Sequence, residues 1–373
     1  MRRNTATTLQ DVAREVGVAT ITASVVLNGS RSATRVSEAT RARIIEAAAR
    51  LHYRPNGVAR GLTRRRMDTV GVVGRFIEQE VNTYFIEVLA GILEASARHN
   101  QNTSIIAVSD WSEEQDKILR FCDGRIDGII LVAPEDMSND FAMRLLDYAP
   151  YVMLHNNNAS TVADSLDVDN EGGYYSAVKH LTDFGHRRIV HFAGQQHLSG
   201  PRQRLAGYRR ALGDANIPFD QSLIFPGDYN ASSGRANAEK FLTVFSEQDR
   251  PTAIACANDV VACACAETLA ARNISIPGQV SIVGFDDTAL ARMSAPPLTT
   301  VRQPLHAMGV HSVGKLLYRI KESLDQPKQN TIVDSARSEE QMEGASRIAR
   351  PQTEIFPVTL VIRESTGPAP AMP

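Results

Sequence analysis

The stretch from Gly309 to Lys315, GVHSVGK, has the glycine and lysine spacing of a loop that binds nucleotide phosphates. Leu316 stands where that loop needs a serine or threonine hydroxyl, and no apolar strand precedes it. Apolar side chains instead repeat at helical spacing over residues 307–324. We therefore predict an ordinary amphipathic helix at this position.

Other patterns that could support catalysis or metal binding are weak. The chain contains no GxSxG, HExxH or GxGxxG motif. Asp286 and Asp287 could act as acid and base, although such pairs more often cap loops or bind ligands. The four cysteines lie in apolar or helical contexts without CxxC spacing, which favours buried thiols over a zinc site or disulfides. We expect no enzyme activity, no metal and no cofactor.

Positive charge is concentrated at the start of the chain. Residues 1–66 contain 13 arginines and no lysine against four acidic side chains, a net charge of +9. The remainder carries −11, because the whole chain has a net charge of −2. A basic module on an acidic body is typical of nucleic-acid binding, since its cations displace counterions from phosphate. A merely solvated basic face would give the same count.

Two short helices joined by a glycine turn are predicted over residues 8–28. Thr8 and Asp11 have capping-box spacing, and Gly17 ends the first helix. The second helix, from about 19 to 27, turns an outer face to solvent, where a helix-turn-helix presents side chains to the DNA major groove. By pattern alone, a helical hairpin without a ligand fits equally well.

A third helix and a linker follow. Ser37 caps a helix with an apolar stripe at Ile44, Ile45, Ala48 and Leu51, which completes a minimal three-helix core. The segment from 56 to 62 allows at most two helical turns and holds two glycines, so it should be unstable as an isolated helix. We predict a hinge that folds on binding.

These strings resemble the lactose and galactose repressor family of bacterial transcription regulators. The matching strings are TLQDVAREVGVATITASVVLN, VSEATRARI and YRPNGVARGL. In that family the hinge pairs with its dimer mate in the minor groove, and a leucine, matched here by Leu62, wedges into the central base step. The resemblance implies a DNA-binding set of Thr8, Thr20, Ile21, Thr22, Ser24, Val25, Asn28, Asn56, Arg60 and Leu62.

Within this set, Thr20, Ile21 and Val25 take the base-reading positions by family register. Val25 has no group that could fork onto guanine, so we predict readout of thymine methyls and DNA shape. Thr22, Ser24 and Asn28 are left to contact phosphates.

From Met67 onward the pattern changes to strands alternating with helices. Short apolar strands are predicted at 70–73, 104–108, 126–132 and 151–154, and again at 188–193, 253–255 and 281–284. This alternation implies parallel, doubly wound sheets whose ligands sit beyond the carboxyl ends of the strands. The family resemblance continues through VDNEGGYYSAVKHLTDFGHRRIVHFAG, VSIVGFDD and VIREST, and implies a two-lobed body like that of periplasmic binding proteins.

The predicted fold class is a small all-α helix-turn-helix head followed by an α/β body of two doubly wound parallel-sheet lobes. We assign 1–52 to the head, 53–66 to the hinge and 67–373 to the body. The first lobe should comprise about 67–167 and 302–335, and the second about 168–301 and 336–373. The polar stretch 325–357 is longer than the corresponding family connection and predicts a mobile loop.

The resemblance implies an effector site in the cleft between the lobes. Its predicted residues are Arg75, His155, Asp167, Arg202, Tyr229, Asn258 and Asp286. Guanidinium, amide and carboxylate groups satisfy the donors and acceptors of a polyhydroxylated ligand. Helix capping by Asn258 or Asp259, and simple packing by Tyr229, are the structural alternatives. Arg75 together with Arg202 would favour an anionic effector, unless Arg75 pairs with Glu78 or Glu80.

We expect a homodimeric transcription regulator, a repressor of carbohydrate-utilisation genes that binds a pseudo-palindromic operator. A sugar, sugar acid or sugar phosphate would switch it. The absence of a membrane-length apolar run and of an apolar signal-peptide core predicts a cytoplasmic protein with no membrane partner. The competing classes are a periplasmic-type solute-binding protein and a sugar-processing enzyme.

Overall fold

The computed structural model describes residues 7–28, 35–56, 60–61, 64, 66–76, 83–135, 137–156, 162–325 and 351–370. The chain divides into two compact units, Met1–Asp68 and Thr69–Pro373, and each is described by itself. Within the described part of the chain, no helix has the length and apolar character needed to cross a lipid bilayer.

Among the described residues, the core of the first unit is formed by three helices, α1 (Leu9–Val16), α2 (Thr20–Asn28) and α3 (Glu38–Arg50). The predicted capping box at the start of α1 is confirmed, because Thr8 and Asp11 each accept from the other's backbone amide. Gly17 ends α1 with φ +74°, a left-handed conformation that glycine adopts without strain. The Ser37 hydroxyl caps α3 by accepting from the Thr40 amide.

Packing in this unit is tight despite its size. Val12, Ala23 and Ile44 contribute fully buried side chains, one from each helix, to a single apolar core. Arg43 donates to the Val16 carbonyl oxygen over 2.8 Å, which ties α3 to the end of α1. The turn between α1 and α2 is thereby fixed from the third helix.

The described residues of the second unit form two six-stranded sheets. The strands, in chain order, are β1 (Thr69–Gly74), β2 (Asn102–Ala107), β3 (Gly128–Val132), β4 (Tyr151–Leu154), β5 (Asp164–Val168), β6 (Ile189–Phe192), β7 (Ile224–Phe225), β8 (Ala253–Cys256), β9 (Ser281–Asp286), β10 (Thr299–Arg302), β11 (Thr353–Phe356) and β12 (Thr359–Val361). The first sheet has the order β11-β5-β4-β3-β1-β2 and is parallel throughout. The second has the order β12-β10-β9-β8-β6-β7, with β12 antiparallel to β10 and the other pairs parallel.

Helices cover both faces of each sheet, as parallel sheets require. The first lobe, defined as the first sheet with its helices, carries α4 (Thr83–Arg98), α5 (Gln115–Phe121), α6 (Asn139–Tyr148) and α12 (Leu305–Asp325). The second lobe, defined likewise, carries α7 (Asn170–Asp183), α8 (Ser199–Asp214), α9 (Ala231–Val244), α10 (Asp259–Ala270) and α11 (Ala289–Met293).

The backbone passes between the lobes after β5, after β10 and after β11. The last of these crossings differs from the expected one. We assigned everything after residue 335 to the second lobe, but β11 pairs with β5 in the first sheet. The crossing therefore lies between Phe356 and Thr359. Within the polar stretch 325–357, residues 353–356 form this strand rather than a loop, and 326–350 lie outside the described residues.

The prediction of a helix over 307–324 is confirmed by α12. Its Gly309 belongs to a close helix crossing, because a Cβ there would lie 2.3 Å from the Val88 carbonyl oxygen of α4. A Cβ on Gly91 would likewise lie 2.1 Å from the His306 oxygen. Gly309, one of the two glycines with phosphate-loop spacing, therefore allows α4 and α12 to pack in direct contact.

The prediction of buried thiols is also confirmed. Cys122, Cys256, Cys263 and Cys265 are free and buried. Burial raises the pKa of Cys122 to about 11 and that of Cys263 to about 12, so both thiols are protonated at neutral pH.

Candidate functional site

A cavity of about 170 Å³ lies between the carboxyl ends of the two sheets. The first lobe lines it with residues that follow β1, β3 and β4, namely Arg75, Ala133 and His155. The second lobe contributes Asp286 from the end of β9 and Asn258 from the turn after β8. This is the edge at which parallel α/β sheets bind ligands.

Arg204 on α8 is the central cation of the cavity. It is 7% exposed, and its Nε donates to Asn170 Oδ1 over 2.9 Å, while Nη1 donates to the Ala257 carbonyl oxygen. The guanidinium carbon lies 3.7 Å from the centre of the Phe285 ring, which fixes the plane of the group. Among the residues that the structure describes, none accepts a hydrogen bond from Nη2.

A buried carboxylate, Asp286, and a half-buried one, Asp167, also line the cavity. Asp286 Oδ1 accepts from Gln303 Nε2 over 2.6 Å, and Asp167 Oδ1 accepts from the Val168 amide over 2.8 Å. The second oxygen of each carboxylate has no hydrogen-bond partner in the described part of the chain. Burial raises the pKa of Asp286 to about 7 and the pKa of Asp167 to about 6, in both cases against the attraction of Arg204.

A hydrogen-bond relay runs from the first lobe to Asp286. Gln303 uses its amide nitrogen on Asp286, so its Oε1 accepts from His155 Nε2 over 2.9 Å. His155 Nδ1 must then accept, and the Tyr84 hydroxyl donates to it. Burial lowers the pKa of His155 to about 4, which keeps the ring neutral and this direction of donation fixed.

Asn258 combines the two roles that the sequence left open. Its Oδ1 accepts from the Val261 amide over 2.9 Å and caps α10, and its Nδ2 donates to the Tyr229 carbonyl oxygen over 2.9 Å. It also lines the cavity beside the Tyr229 ring. Capping falls to Asn258 rather than Asp259, whose carboxylate is fully buried and accepts from Thr288 and Thr300.

Arg202 does not line the cavity, contrary to our expectation. Its side chain is exposed and donates to the His197 carbonyl oxygen over 2.8 Å. Residues two apart on a helix are separated by about 200° of rotation, so Arg202 and Arg204 point to opposite sides of α8. The apolar repeat Pro201, Tyr208 and Ala211 marks the inner face, and Arg204 falls on it. That periodicity could have identified the correct arginine.

Arg75 lies at the cavity, and its Nη1 is 3.2 Å from Glu135 Oε2. Glu78 and Glu80, the partners considered from sequence, lie outside the described residues. The lining includes the acidic residues Glu135, Asp167, Asp228 and Asp286 against the cations Arg75 and Arg204. The predicted pair of arginines for an anionic effector is therefore not formed.

Of the seven predicted effector residues, the structure places Arg75, His155, Asp167, Tyr229, Asn258 and Asp286 at the cavity. Sequence reasoning missed Tyr84, Phe85, Asn170, Arg204 and Gln303, which also line it. Tyr84 and Phe85 begin α4 directly after a region without strong pattern. Gln303 follows β10, a strand that we did not predict.

Asp287 was considered as a partner of Asp286 in acid and base chemistry, but its side chain is held in ion pairs away from the cavity. Its side chain is fully buried, with Oδ2 2.6 Å from Arg302 Nε and Oδ1 paired with Arg363. It faces the junction of β10 and the C-terminal segment rather than the cavity. The two aspartates therefore do not form a catalytic pair.

Three non-glycine residues at the cavity have positive φ angles, namely Ala133 (+48°), His155 (+49°) and Asp286 (+123°). Each lies at or directly after the end of a strand. Such conformations cost on the order of 1 to 3 kcal/mol each and concentrate at functional sites. They turn the side chains or backbone into the cavity at the expense of local stability.

In the first unit, α2 presents Thr20 and Ile21 to solvent, with Ile21 59% exposed. Thr22, Ser24, Val25 and Asn28 are half-buried. Asn28 Nδ2 donates to Ser24 Oγ over 3.2 Å, and Thr8 is engaged with Asp11. The Arg60 amide donates to the Asn56 carbonyl oxygen over 3.1 Å, whereas Leu62 lies outside the described residues.

Comparison with known proteins identifies both units. Residues 8–56 match the family model "Bacterial regulatory proteins, lacI family", and residues 178–366 match a "Periplasmic binding protein-like domain". A protein of Vibrio vulnificus (strain CMCP6) named HTH-type transcriptional repressor PurR is 32% identical over 320 residues, covering 84% of this chain and 92% of that protein. The chain belongs to the LacI family of bacterial regulatory proteins.

Solved structures support the same assignment. A lac repressor dimer bound to operator and the anti-inducer ONPF has a TM-score of 0.76 at 25% identity, over 97% of this LacI-family chain and 99% of that one. A complex of the transcriptional regulator CelR with cellobiose has a TM-score of 0.67 at 28% identity, over 96% and 99%. The predicted fold class, family and role as a DNA-binding transcription regulator are confirmed.

Proposed function

We propose that this LacI-family protein is a homodimeric repressor of carbohydrate-utilisation genes whose operator binding is switched by a neutral, polyhydroxylated small molecule. One observation supports the effector class above all. Arg204 Nη2 and one oxygen each of Asp167 and Asp286 line the same cavity without a partner among the described residues. One cation and two carboxylates match the alternating donors and acceptors of sugar hydroxyls.

The walls of the cavity favour the same ligand. Phe85 and Tyr229 supply apolar ring faces, which can pack against the C–H face of a sugar ring. The acidic lining opposes an effector with a carboxylate or phosphate. A planar nitrogen heterocycle such as a purine base could also stack on these rings. The binding test therefore includes one.

Isothermal titration calorimetry of the full chain tests the effector class. The panel comprises D-glucose, D-ribose, cellobiose, D-gluconate, glucose 6-phosphate and adenine. We expect a neutral sugar to bind, and Arg204→Gln to weaken binding at least about tenfold because a buried charge-assisted hydrogen bond is lost. Arg202→Gln, on the opposite side of α8, is the control. Preference for gluconate, the phosphate or adenine would contradict the proposal.

The DNA function rests on two copies of the head. Two recognition helices on a dimer fit a pseudo-palindromic operator. Ile86 and Leu93 are exposed apolar side chains one heptad apart on α4, and Met293 is 83% exposed. They offer a surface for a second copy of the chain. Selection of bound sequences from random DNA, with and without the sugar panel, should enrich a palindrome. Absence of any enriched palindrome would overturn the proposal.

We further propose that the protein acts in the cytoplasm, where chromosomal DNA lies, and that it binds its effector without converting it. Chromatography of each sugar after incubation with the protein checks the second point. An altered sugar that depends on the protein would favour an enzyme.

A further inference from the structure

Besides the relay through Gln303, the hydrogen bonds between the lobes include two that lie outside it. Ser199 Oγ of the second lobe donates to the Asn156 carbonyl oxygen of the first lobe over 3.0 Å. Glu87 on α4 of the first lobe accepts through Oε1 from the Ala289 amide, at the start of α11 in the second lobe, over 3.1 Å. The second contact has a charged acceptor, which makes it the stronger type of hydrogen bond.

Arg292 adds an ion pair to this second contact. Its Nη2 lies 3.7 Å from Glu87 Oε1, and its Nη1 donates to the Asp287 carbonyl oxygen over 2.8 Å. Arg292 is therefore held by its own lobe on one side and meets the first lobe on the other. We call Glu87, Ala289 and Arg292 the cross-lobe latch.

The latch is close in sequence and space to the proposed effector carboxylate. Asp286 precedes Ala289 by three residues, and the side chain of the intervening Asp287 is anchored by Arg302 and Arg363. The charge of Glu87 contributes to the raised pKa of Asp286. A movement of α11 relative to α4 would therefore also move the segment that carries Asp286.

We propose that Glu87 is a positioning residue, which holds the two lobes in the closed arrangement in which groups from both lobes converge on the effector. This inference rests on the proposed effector function of the cavity. Closing the lobes in advance raises apparent affinity, because a ligand that needs both lobes binds only the closed fraction of molecules. The same contact links the effector site to the relative positions of the lobes.

The test compares Glu87→Ala with Glu94→Ala in the full chain. Glu94 lies on the same helix, but its partners Arg98 and His306 belong to the first lobe, so it makes a matched control. Spin labels at Asp140→Cys and Glu247→Cys, exposed positions on the two lobes, report the distance between lobes by pulsed electron resonance. The native cysteines are buried. Calorimetry with D-glucose, D-ribose and cellobiose reports binding.

We expect Glu87→Ala to shift the ligand-free distance distribution to longer values and to weaken sugar binding about 3- to 10-fold. Glu87→Gln, which keeps the acceptor and removes the ion pair, should fall between wild type and Glu87→Ala. The sedimentation of the dimer should remain unchanged. A wild-type distance distribution in Glu87→Ala, or an equal change in Glu94→Ala, would overturn the latch. Failure of the wild type to bind any sugar would overturn the effector proposal, while the distance comparison would still decide the latch.

Discussion

His155 Nε2 donates to Gln303 Oε1 over 2.9 Å, a hydrogen bond that connects the end of β4 in the first lobe with the crossover after β10. Because Gln303 also donates to Asp286, the orientation of the amide is fixed from both sides. The relay then ends at the Tyr84 hydroxyl, which can only donate to His155. The Gln303 amide and the His155 ring are thus each held in one orientation.

Removing the first donor of the relay should destabilise the protein. Tyr84→Phe leaves His155 Nδ1 buried without a donor, and we expect the free energy of unfolding to fall by about 1 to 2 kcal/mol. Chemical denaturation measures this change. Tyr148→Phe, at a side chain 58% exposed, is the control and should change little. Equal effects of the two substitutions would show that the relay is not satisfied in solution.

Asp286 should give the protein an unusual dependence on pH. Its pKa is raised by burial to about 7, whereas an exposed aspartate titrates near 4. Between these values the folded state holds a proton that the unfolded chain has released, so the contribution of this group to stability falls as pH rises from 4 to 7. The difference in unfolding free energy between wild type and Asp286→Asn should decline by about 1 kcal/mol per pH unit and level off above pH 7. The exposed substitution Asp147→Asn controls for loss of a carboxylate. A difference that rises with pH would contradict the assignment.

Two glycines of α12 should respond in opposite directions to the same substitution. Gly309→Ala places a methyl group against the Val88 oxygen, and we expect a loss of more than about 2 kcal/mol because the helices must separate. A Cβ on Gly314 meets nothing within 4 Å, so Gly314→Ala should stabilise the helix by about 0.5 to 1 kcal/mol. Thermal denaturation of both variants measures the contrast. Similar melting temperatures would argue against the α4–α12 crossing.

The recognition helix should gain base specificity from a single arginine. Val25→Arg supplies a fork that can bind guanine O6 and N7, and we expect a guanine preference of about 1 to 3 kcal/mol in each half-site. Selection from random-sequence DNA measures it. Gln10→Arg, on the exposed side of α1, adds the same charge away from α2 and should leave the selected motif unchanged. An unchanged motif for Val25→Arg would show that the register is wrong.

The sequence predicted those elements whose local pattern agrees with their final environment. The strand at 151–154 and the helix over 307–324 were foreseen because their apolar residues repeat at the spacing of a buried strand and of an amphipathic helix. β11 and β12 were not predicted. They are edge strands of three or four residues with partly exposed side chains, so pairing with β5 and β10, rather than local pattern, makes them strands.

The candidate site was predictable where it follows a recognisable strand. Arg75 and His155 come directly after apolar runs and lie at the cavity as expected. The position of Arg204 at the cavity depends on the rotation of α8, and that of Gln303 depends on a crossover between the lobes. Sequence motifs encode neither. Asn258 illustrates a different limit, since one amide both caps a helix and lines the cavity.

The positive φ angles of Ala133, His155 and Asp286 have a consequence for protein engineering. Glycine tolerates such angles, so a screen that rewards heat resistance alone would be drawn to Ala133 and His155. Replacing His155 would also remove the middle of the relay that orients Asp286. Variants selected in such a screen would unfold at higher temperature but would no longer respond to the effector.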